Sequence, residues 1–250
     1  DGVIIEGQRF DTEDGVPQGA SLSPLLANVY LHYVLDKWFE RDVKPRMRGE
    51  SSLIRYADDF IVSFESESDA VRYQTVLPKR LARFSLSVAE DKTKLIRFGR
   101  FARRDCQRRS EGAPRTFDFL GFTHYCGTSR AGRFKLKRKT STKKLRGKLQ
   151  DLNRWFWKQL STPIVEMWRT LNAKLRGHYQ YYGINDNWPL LMAFRDHARR
   201  MAKRHISRRS QNSYFSWAKF NAFLEQNPLA SPTRLIDLIA MSRGGCAVGR

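Results

Sequence analysis

With 250 residues, 41% of them hydrophobic, the chain can bury the core of one large domain or of two modest ones. No apolar run approaches the roughly 20 residues of a membrane span, and residues 1–30 lack the charged-then-apolar order of a signal peptide, so a soluble intracellular protein without membrane contact is expected. Three cysteines, Cys106, Cys126 and Cys246, form no C-x-x-C pair; neither a disulfide framework nor a zinc knuckle is supported, and His124 with Cys126 falls short of the four ligands of structural zinc.

The net charge is +21, from 46 Lys and Arg against 25 Asp and Glu, and it is unevenly spread. Residues 1–100 hold 15 basic and 16 acidic side chains, which leaves 31 and 9 for residues 101–250. A neutral part followed by a strongly basic one suggests a chemistry module joined to a polyanion-binding module; a merely solvated basic surface is the alternative.

In chain order, Asp1 to Phe10 reads as a strand pair or strand-loop entering an existing fold, and with no initiator Met it reads as a fragment. Ser23-Pro24 predicts a helix start, with Ser23 as N-cap and Pro24 at the first helical position. Leu25 to about Glu40 continues as a long, mostly apolar helix expected to be largely buried. Residues 41–51 form a charged connector.

Leu53-Ile54 and Ile61-Val62-Ser63-Phe64 are β-prone runs flanking Arg55-Tyr56-Ala57-Asp58-Asp59-Phe60, which predicts a hairpin with Asp58 and Asp59 at its tip. Adjacent carboxylates repel, and a divalent cation such as Mg²⁺ compensates them; an ordinary acidic turn has the same sequence. After it, Glu65 to Ser68 offers caps for a helix over about 69–84 with Ala70, Tyr73, Leu77, Leu81 and Phe84 on one face, and Pro78 is expected to kink or split it.

The segment Gly15-Val16-Pro17-Gln18-Gly19-Ala20-Ser21-Leu22-Ser23-Pro24-Leu25-Leu26-Ala27-Asn28, followed about thirty residues later by Tyr56-Ala57-Asp58-Asp59, resembles two successive palm motifs of reverse transcriptases, and among them the group II intron reverse transcriptase/maturase family. The resemblance implies an α+β fold: a partial right-hand palm, an antiparallel sheet with helices, over residues 1–115, a primer-grip-like hairpin over 116–140, a helical thumb or maturase X domain over 141–210, and a short basic tail over 211–250. It implies Mg²⁺-dependent, RNA-templated nucleotidyl transfer, with Mn²⁺ as a substitute metal. Asp58 would be the direct metal ligand and Asp59 would assist or shape the turn. Pro17, Gln18, Gly19 and Tyr56 would lie along template and nucleotide. Lys92 falls where the family keeps a lysine near the leaving pyrophosphate, with Lys94 close enough to take that role and a solvated surface lysine as the alternative.

Val88 to Gly99 resembles the loop and strand that close the palm. Residues 100–115 read as an exposed arginine-rich loop. Phe117 to Tyr125 and Phe134 to Lys139 predict a second hairpin, within which Phe119-Leu120-Gly121-Phe122 resembles the primer grip. From Ser141 the pattern is helical: Leu145, Leu149, Leu152, Phe156 and Leu160 mark one face, a second helix follows Thr162-Pro163 to Gly183, and a third follows Trp188-Pro189 to about His205, together a small bundle. Leu171 to Gly183 resembles the thumb, its aromatics read as packing groups. Lys143, Lys144, Arg146, Arg176, Arg195, Arg199, Arg200, Lys203 and Arg204 are the candidate RNA-binding side chains. No His-Asn-His nuclease signature is present.

The resemblance further implies a second metal-binding Asp on a palm strand upstream of residue 1; Asp11 and Asp14 sit in no matching motif. This chain alone is therefore expected to be incomplete for catalysis, needing an upstream palm and fingers chain or a second copy. The implied partners are intron RNA or an RNA template, an RNA/DNA primer-template and deoxynucleoside triphosphates, in the cytoplasm or at the nucleoid. The competing reading is a noncatalytic RNA-binding module that aids splicing.

Overall fold

The computed structural model describes residues 22–129, 131–209, 215–233 and 235–236, and the backbone of residues 2–5 and 8–11. It is a mixed helix and sheet fold with small antiparallel sheets, as the sequence predicts. The chain divides into two compact units at Ile96 and Arg97.

In the first unit, strands β1 (Gly2–Ile5) and β2 (Gln8–Asp11) pair antiparallel. Helix α1 (Ser23–Leu31) follows, then π-helical turns at His32–Asp36 and Phe39–Val43 and a 3₁₀ turn at Lys44–Arg46. Leu22 rather than Ser23 occupies the N-cap, and no side chain caps the end. The expectation of a largely buried helix holds only for its second half. Val34, Leu35, Phe39 and Val43 are buried, whereas Leu25, Leu26, Val29, Tyr30 and Tyr33 are exposed. The buried positions recur mostly every four residues, because the wider π turns advance more residues per revolution than an α-helix.

Strands β3 (Ser51–Tyr56) and β4 (Asp59–Phe64) form the expected hairpin. Helix α2 (Glu67–Ala82) buries Tyr73, Leu77 and Leu81 against Val34, Leu35, Phe39 and Val43, with Leu53, Phe60, Val62 and Phe64 of the hairpin packed alongside. Pro78 does not split α2, which runs unbroken through it. Its missing amide would have bonded Gln74, and both residues lie on the exposed side, where water can serve the freed carbonyl. Buried Asp69, in the first turn of α2, accepts the backbone amides of Arg48 at 2.7 Å and Gly49 at 3.2 Å, holding the entry to β3.

Residues 88–99 form no strand; Lys92 and Thr93 instead close a turn on the Ala89 carbonyl. Arg97 already belongs to the second unit, in which Phe98 packs edge-on to Phe117 at 5.0 Å and the Gly99 amide meets Cys126 Sγ at 3.4 Å. Those contacts explain why the first unit ends at Ile96 and not near residue 115. The arginine-rich stretch is not a loop throughout: α3 (Ala102–Arg108) buries Ala102 and Cys106.

The second unit holds a meander of β5 (Phe117–Phe119), β6 (Phe122–Thr128) and β7 (Phe134–Thr140). Beyond it lie α4 (Thr142–Trp157), α5 (Ile164–Tyr182) and α6 (Trp188–Arg208). Ser141 caps α4 by accepting the Lys144 amide, and the helix ends before Leu160, which is exposed. Leu152, Phe156, Leu171, Leu175, Leu191, Phe194 and Ala198 are among the shared core. The stretch after residue 210 is more than a tail. Helix α7 (Trp217–Gln226) adds Phe220, fully buried, and Leu229 follows it into the same core. Asn172 fixes this segment through the Pro228 carbonyl and the Ala230 amide, and Trp168 donates to the Asn227 carbonyl. Among the described residues no helix is long and apolar enough to cross a membrane.

Candidate active site

Tyr56 pairs with Asp59 across the hairpin, leaving Ala57 and Asp58 as a two-residue turn. Ala57 takes φ 55°, a left-handed conformation that costs a non-glycine residue about 1–2 kcal/mol. Positive φ at the first turn position alone is the mark of a II′ hairpin turn. Strand alternation then sorts the side chains. Leu53 and Arg55 share the face of their partners Val62 and Phe60, toward the core, while Ile54, Tyr56, Ile61 and Asp59 share the other. Asp58 and Asp59 are both exposed.

Arg55 is the group that ties this turn to the rest of the unit. Its Nε and Nη2 donate to the two carboxylate oxygens of Asp36 at 2.8 and 2.7 Å. Its Nη1 donates to Asn28 Oδ1 at 2.9 Å and to the Ala57 carbonyl at 2.8 Å. The hydrogen-bonded guanidinium holds the Asp36 carboxyl below the usual carboxylate range, and Asp36 in turn raises Arg55. The sequence reading missed Arg55, Asp36 and Asn28 as a set. Asn28 ended one quoted motif, Arg55 stood just before the other and Asp36 lay in the predicted helix between them, but no spacing rule joins an asparagine to an arginine 27 residues later.

The donor chemistry of the turn suits Mg²⁺ in one particular way. Two carboxylates supply hard oxygens, and among the described residues no group of three or more His, Cys, Asp or Glu gathers to hold an ion. Mg²⁺ ordinarily binds through one or two carboxylates together with substrate phosphates and water, so Asp58 and Asp59 fit an ion that arrives with nucleotide.

Of the remaining predicted residues, Pro17, Gln18 and Gly19 lie outside the described residues. Lys92 is exposed in its turn and makes no side-chain hydrogen bond or ion pair among them. The predicted primer-grip segment belongs to the second unit, where it forms a second two-residue turn: Phe119 pairs with Phe122, and Leu120 and Gly121 take φ 50° and 79°. Both positive values define a I′ turn. The Leu120 carbonyl accepts the Tyr181 hydroxyl at 3.0 Å, and the Gly121 carbonyl accepts the Ser141 amide at 2.9 Å. Phe122 stacks on Tyr181 and meets Tyr182 edge-on, so the end of α5 carries the turn. A Cβ on Gly121 would lie 2.9 Å from the Tyr182 hydroxyl.

The predicted RNA-binding side chains divide by what they already touch. Lys143, Lys144, Arg146, Arg176 and Arg204 are exposed. Arg195 instead donates to the Leu229 and Ala230 carbonyls and so holds the α7 segment. Arg199 and Arg200 both pair with Asp196, at 3.3 and 2.7 Å, and Arg199 and Lys203 lie over the Trp217 ring.

Residues 3–124 match the family model described as reverse transcriptase (RNA-dependent DNA polymerase). This segment is reverse transcriptase-like. The match takes in both turns, Ala57–Asp58 and Leu120–Gly121. No curated protein is significantly similar to the chain.

Proposed function

We propose that the chain belongs to an RNA-directed DNA polymerase of group II intron type. The observation that carries this reading is the exposed Asp58-Asp59 pair at a tight hairpin turn inside the reverse transcriptase-like segment. Asp58 and Asp59 bind Mg²⁺, or Mn²⁺ in its place, which when bound neutralises triphosphate charge and lowers the pKa of the primer 3′-hydroxyl. The chain's own contribution is to hold two carboxylates outward on a rigid turn beside Tyr56, against which template and deoxynucleotide lie. Lys92 would act on the departing pyrophosphate.

The test is primer extension on an RNA template with Mg²⁺ and deoxynucleotides, by this chain alone and together with an upstream palm and fingers chain. Asp58→Ala should abolish extension and leave RNA affinity within about twofold, since one exposed carboxylate removes no phosphate contact. A large loss of affinity would mean the turn is structural. Product resistant to DNase would exclude deoxynucleotide polymerisation.

A second role, intron binding as a maturase, draws on the basic surface of the second unit, where Lys143, Lys144, Arg146, Arg176 and Arg204 are exposed. Charge reversal of Lys143 and Arg146 together should weaken RNA binding and lower the slope of log affinity against log salt by about one per lost phosphate contact. An unchanged slope would remove α4 from the interface.

A further inference from the structure

We infer that Arg55 is a positioning residue that sets the direction of the Asp58 carboxylate by fixing the peptide between Ala57 and Asp58. The inference rests on the reading of Asp58 as a metal ligand.

In a two-residue hairpin turn the peptide joining the two central residues can face either way with little change in the flanking strands; types I′ and II′ differ chiefly in this orientation. That peptide comprises the Ala57 carbonyl and the Asp58 amide. Flipping it changes φ at Asp58 and so turns its Cα–Cβ bond away. The Ala57 carbonyl accepts Arg55 Nη1 at 2.8 Å, which selects one orientation. The guanidinium cannot follow a flip, because Nε and Nη2 are held by both oxygens of Asp36 and Nη1 is shared with Asn28 Oδ1. Side-chain exposure is only 12% at Arg55 and 27% at Asp36, so the pair is better shielded than an open surface bridge.

The π turn at His32–Asp36 makes this arrangement available. Residues eight apart on an uninterrupted α-helix stand about 80° from each other around the axis. A wider turn between them takes up most of that offset, bringing Asn28 and Asp36 onto one side, where a single planar fork reaches both. A lysine cannot reproduce three directed donors. Asp36 has a second effect: with its charge engaged, the guanidinium is not available to pair with Asp58 or Asp59 in competition with a metal ion.

The experiment compares Arg55→Lys, Asp36→Asn and Asn28→Ala with the parent chain. Where the parent extends primers and Asp58→Ala does not, Arg55→Lys should lower kcat by about 10–100-fold, with KM for deoxynucleotide and RNA affinity within about threefold. Asn28→Ala, which removes one bond of the set, should lower kcat a few-fold in the same direction, and Asp36→Asn should weaken Mn²⁺ binding measured by electron paramagnetic resonance. Wild-type kcat in Arg55→Lys would overturn the inference and leave the polymerase reading intact. A second readout does not depend on polymerisation: the Asp58 and Asp59 amide resonances and their hydrogen exchange. Changed shifts and faster exchange at Asp58 in folded Arg55→Lys support the clamp. Unchanged ones overturn it, whether or not the chain extends a primer.

Discussion

The Ala57–Asp58 turn is held from one side by a guanidinium, whereas the Leu120–Gly121 turn is held by the Tyr181 hydroxyl, the Ser141 amide and the packed ring of Phe122. Both adopt left-handed backbone, at Ala57 and at Leu120 and Gly121. They differ in what surrounds them. The first presents carboxylates to solvent, as the proposed metal role requires. The second backs onto the end of α5 and leaves no room for a side chain. The first turn is fixed by polar bonds from behind; the second is fixed by contact on several sides.

The sharpest way to break this contrast is Gly121→Val. Left-handed backbone costs a non-glycine residue about 1–2 kcal/mol, and overpacking against the Tyr182 hydroxyl, 2.9 Å from the added carbon, costs about 1–3 kcal/mol more. The second unit should lose about 4 kcal/mol in chemical denaturation. A loss below about 1 kcal/mol would show that the turn yields and is not held by packing.

Acid separates the two turns by mechanism. Behind Tyr182 lies His178, tilted against it at 4.8 Å and stacked on Phe194 at 4.0 Å, and burial lowers its pKa to about 4 from 6.5. The unfolded chain therefore takes up a proton as pH falls through 6.5 while the folded His178 does not, so His178 alone lowers the stability of the second unit by about 3 kcal/mol between about pH 6.5 and 4, and His124 and His205, whose pKa values burial also lowers, add to the decline. Asp36 has the opposite range. Its folded pKa lies below 3.8, so the clamp at Ala57 keeps its contribution above that value and loses it only in stronger acid. Denaturation of the second unit from pH 7 to 4 in the parent and in His178→Phe checks this; an equal slope in both would remove His178 as the cause.

Several features were legible in the residues, and the reason is local. β-branched and aromatic runs around Asp58 specify a hairpin, and leucines at helical spacing specify α4 to α6. What escaped depends on groups far apart in sequence. The exposed start of α1 was read as buried because apolar content does not say whether a partner surface exists, and Pro78 was read as a break because the solvent on its side of α2 is not written in the helix. The loop and strand expected over Val88 to Gly99 are a turn and a loop, and Phe98 and Gly99 pack against β5 and β6 side chains instead of joining a ladder. At the candidate site the two aspartates could be found from their motif. The guanidinium behind them could not, because Arg55 reads as an ordinary strand residue until Asp36 and Asn28 are brought beside it.

A smaller effect tests the second turn's polar bond. Tyr181→Phe removes the hydroxyl that reaches the Leu120 carbonyl and keeps the ring that stacks on Phe122. The loss should be about 1 kcal/mol, the usual net contribution of one hydrogen bond, read from the denaturation midpoint. A loss of 3 kcal/mol would place the polar bond, and not packing, as the main support, and the contrast between the turns would disappear.

The smallest expected change lies at Ala57 and separates strain held by a residue from strain imposed on it. Glycine relieves the left-handed cost of about 1–2 kcal/mol at φ 55°, but it also adds freedom to the unfolded chain worth about 0.4–1 kcal/mol, so Ala57→Gly should stabilise the first unit by about 0.5 kcal/mol and by no more than about 1.5 kcal/mol. Polymerisation is the informative readout. With Arg55 in place the central peptide remains selected, and the rate should stay within about twofold of the parent. In an Arg55→Lys background the same glycine has no such restraint, both peptide orientations become accessible, and the rate should fall further than with Arg55→Lys alone. Additive effects of the two substitutions would mean that residues 55 and 57 act independently and would remove the clamp; a marked excess in the double variant is what a clamp acting through the Ala57 carbonyl requires.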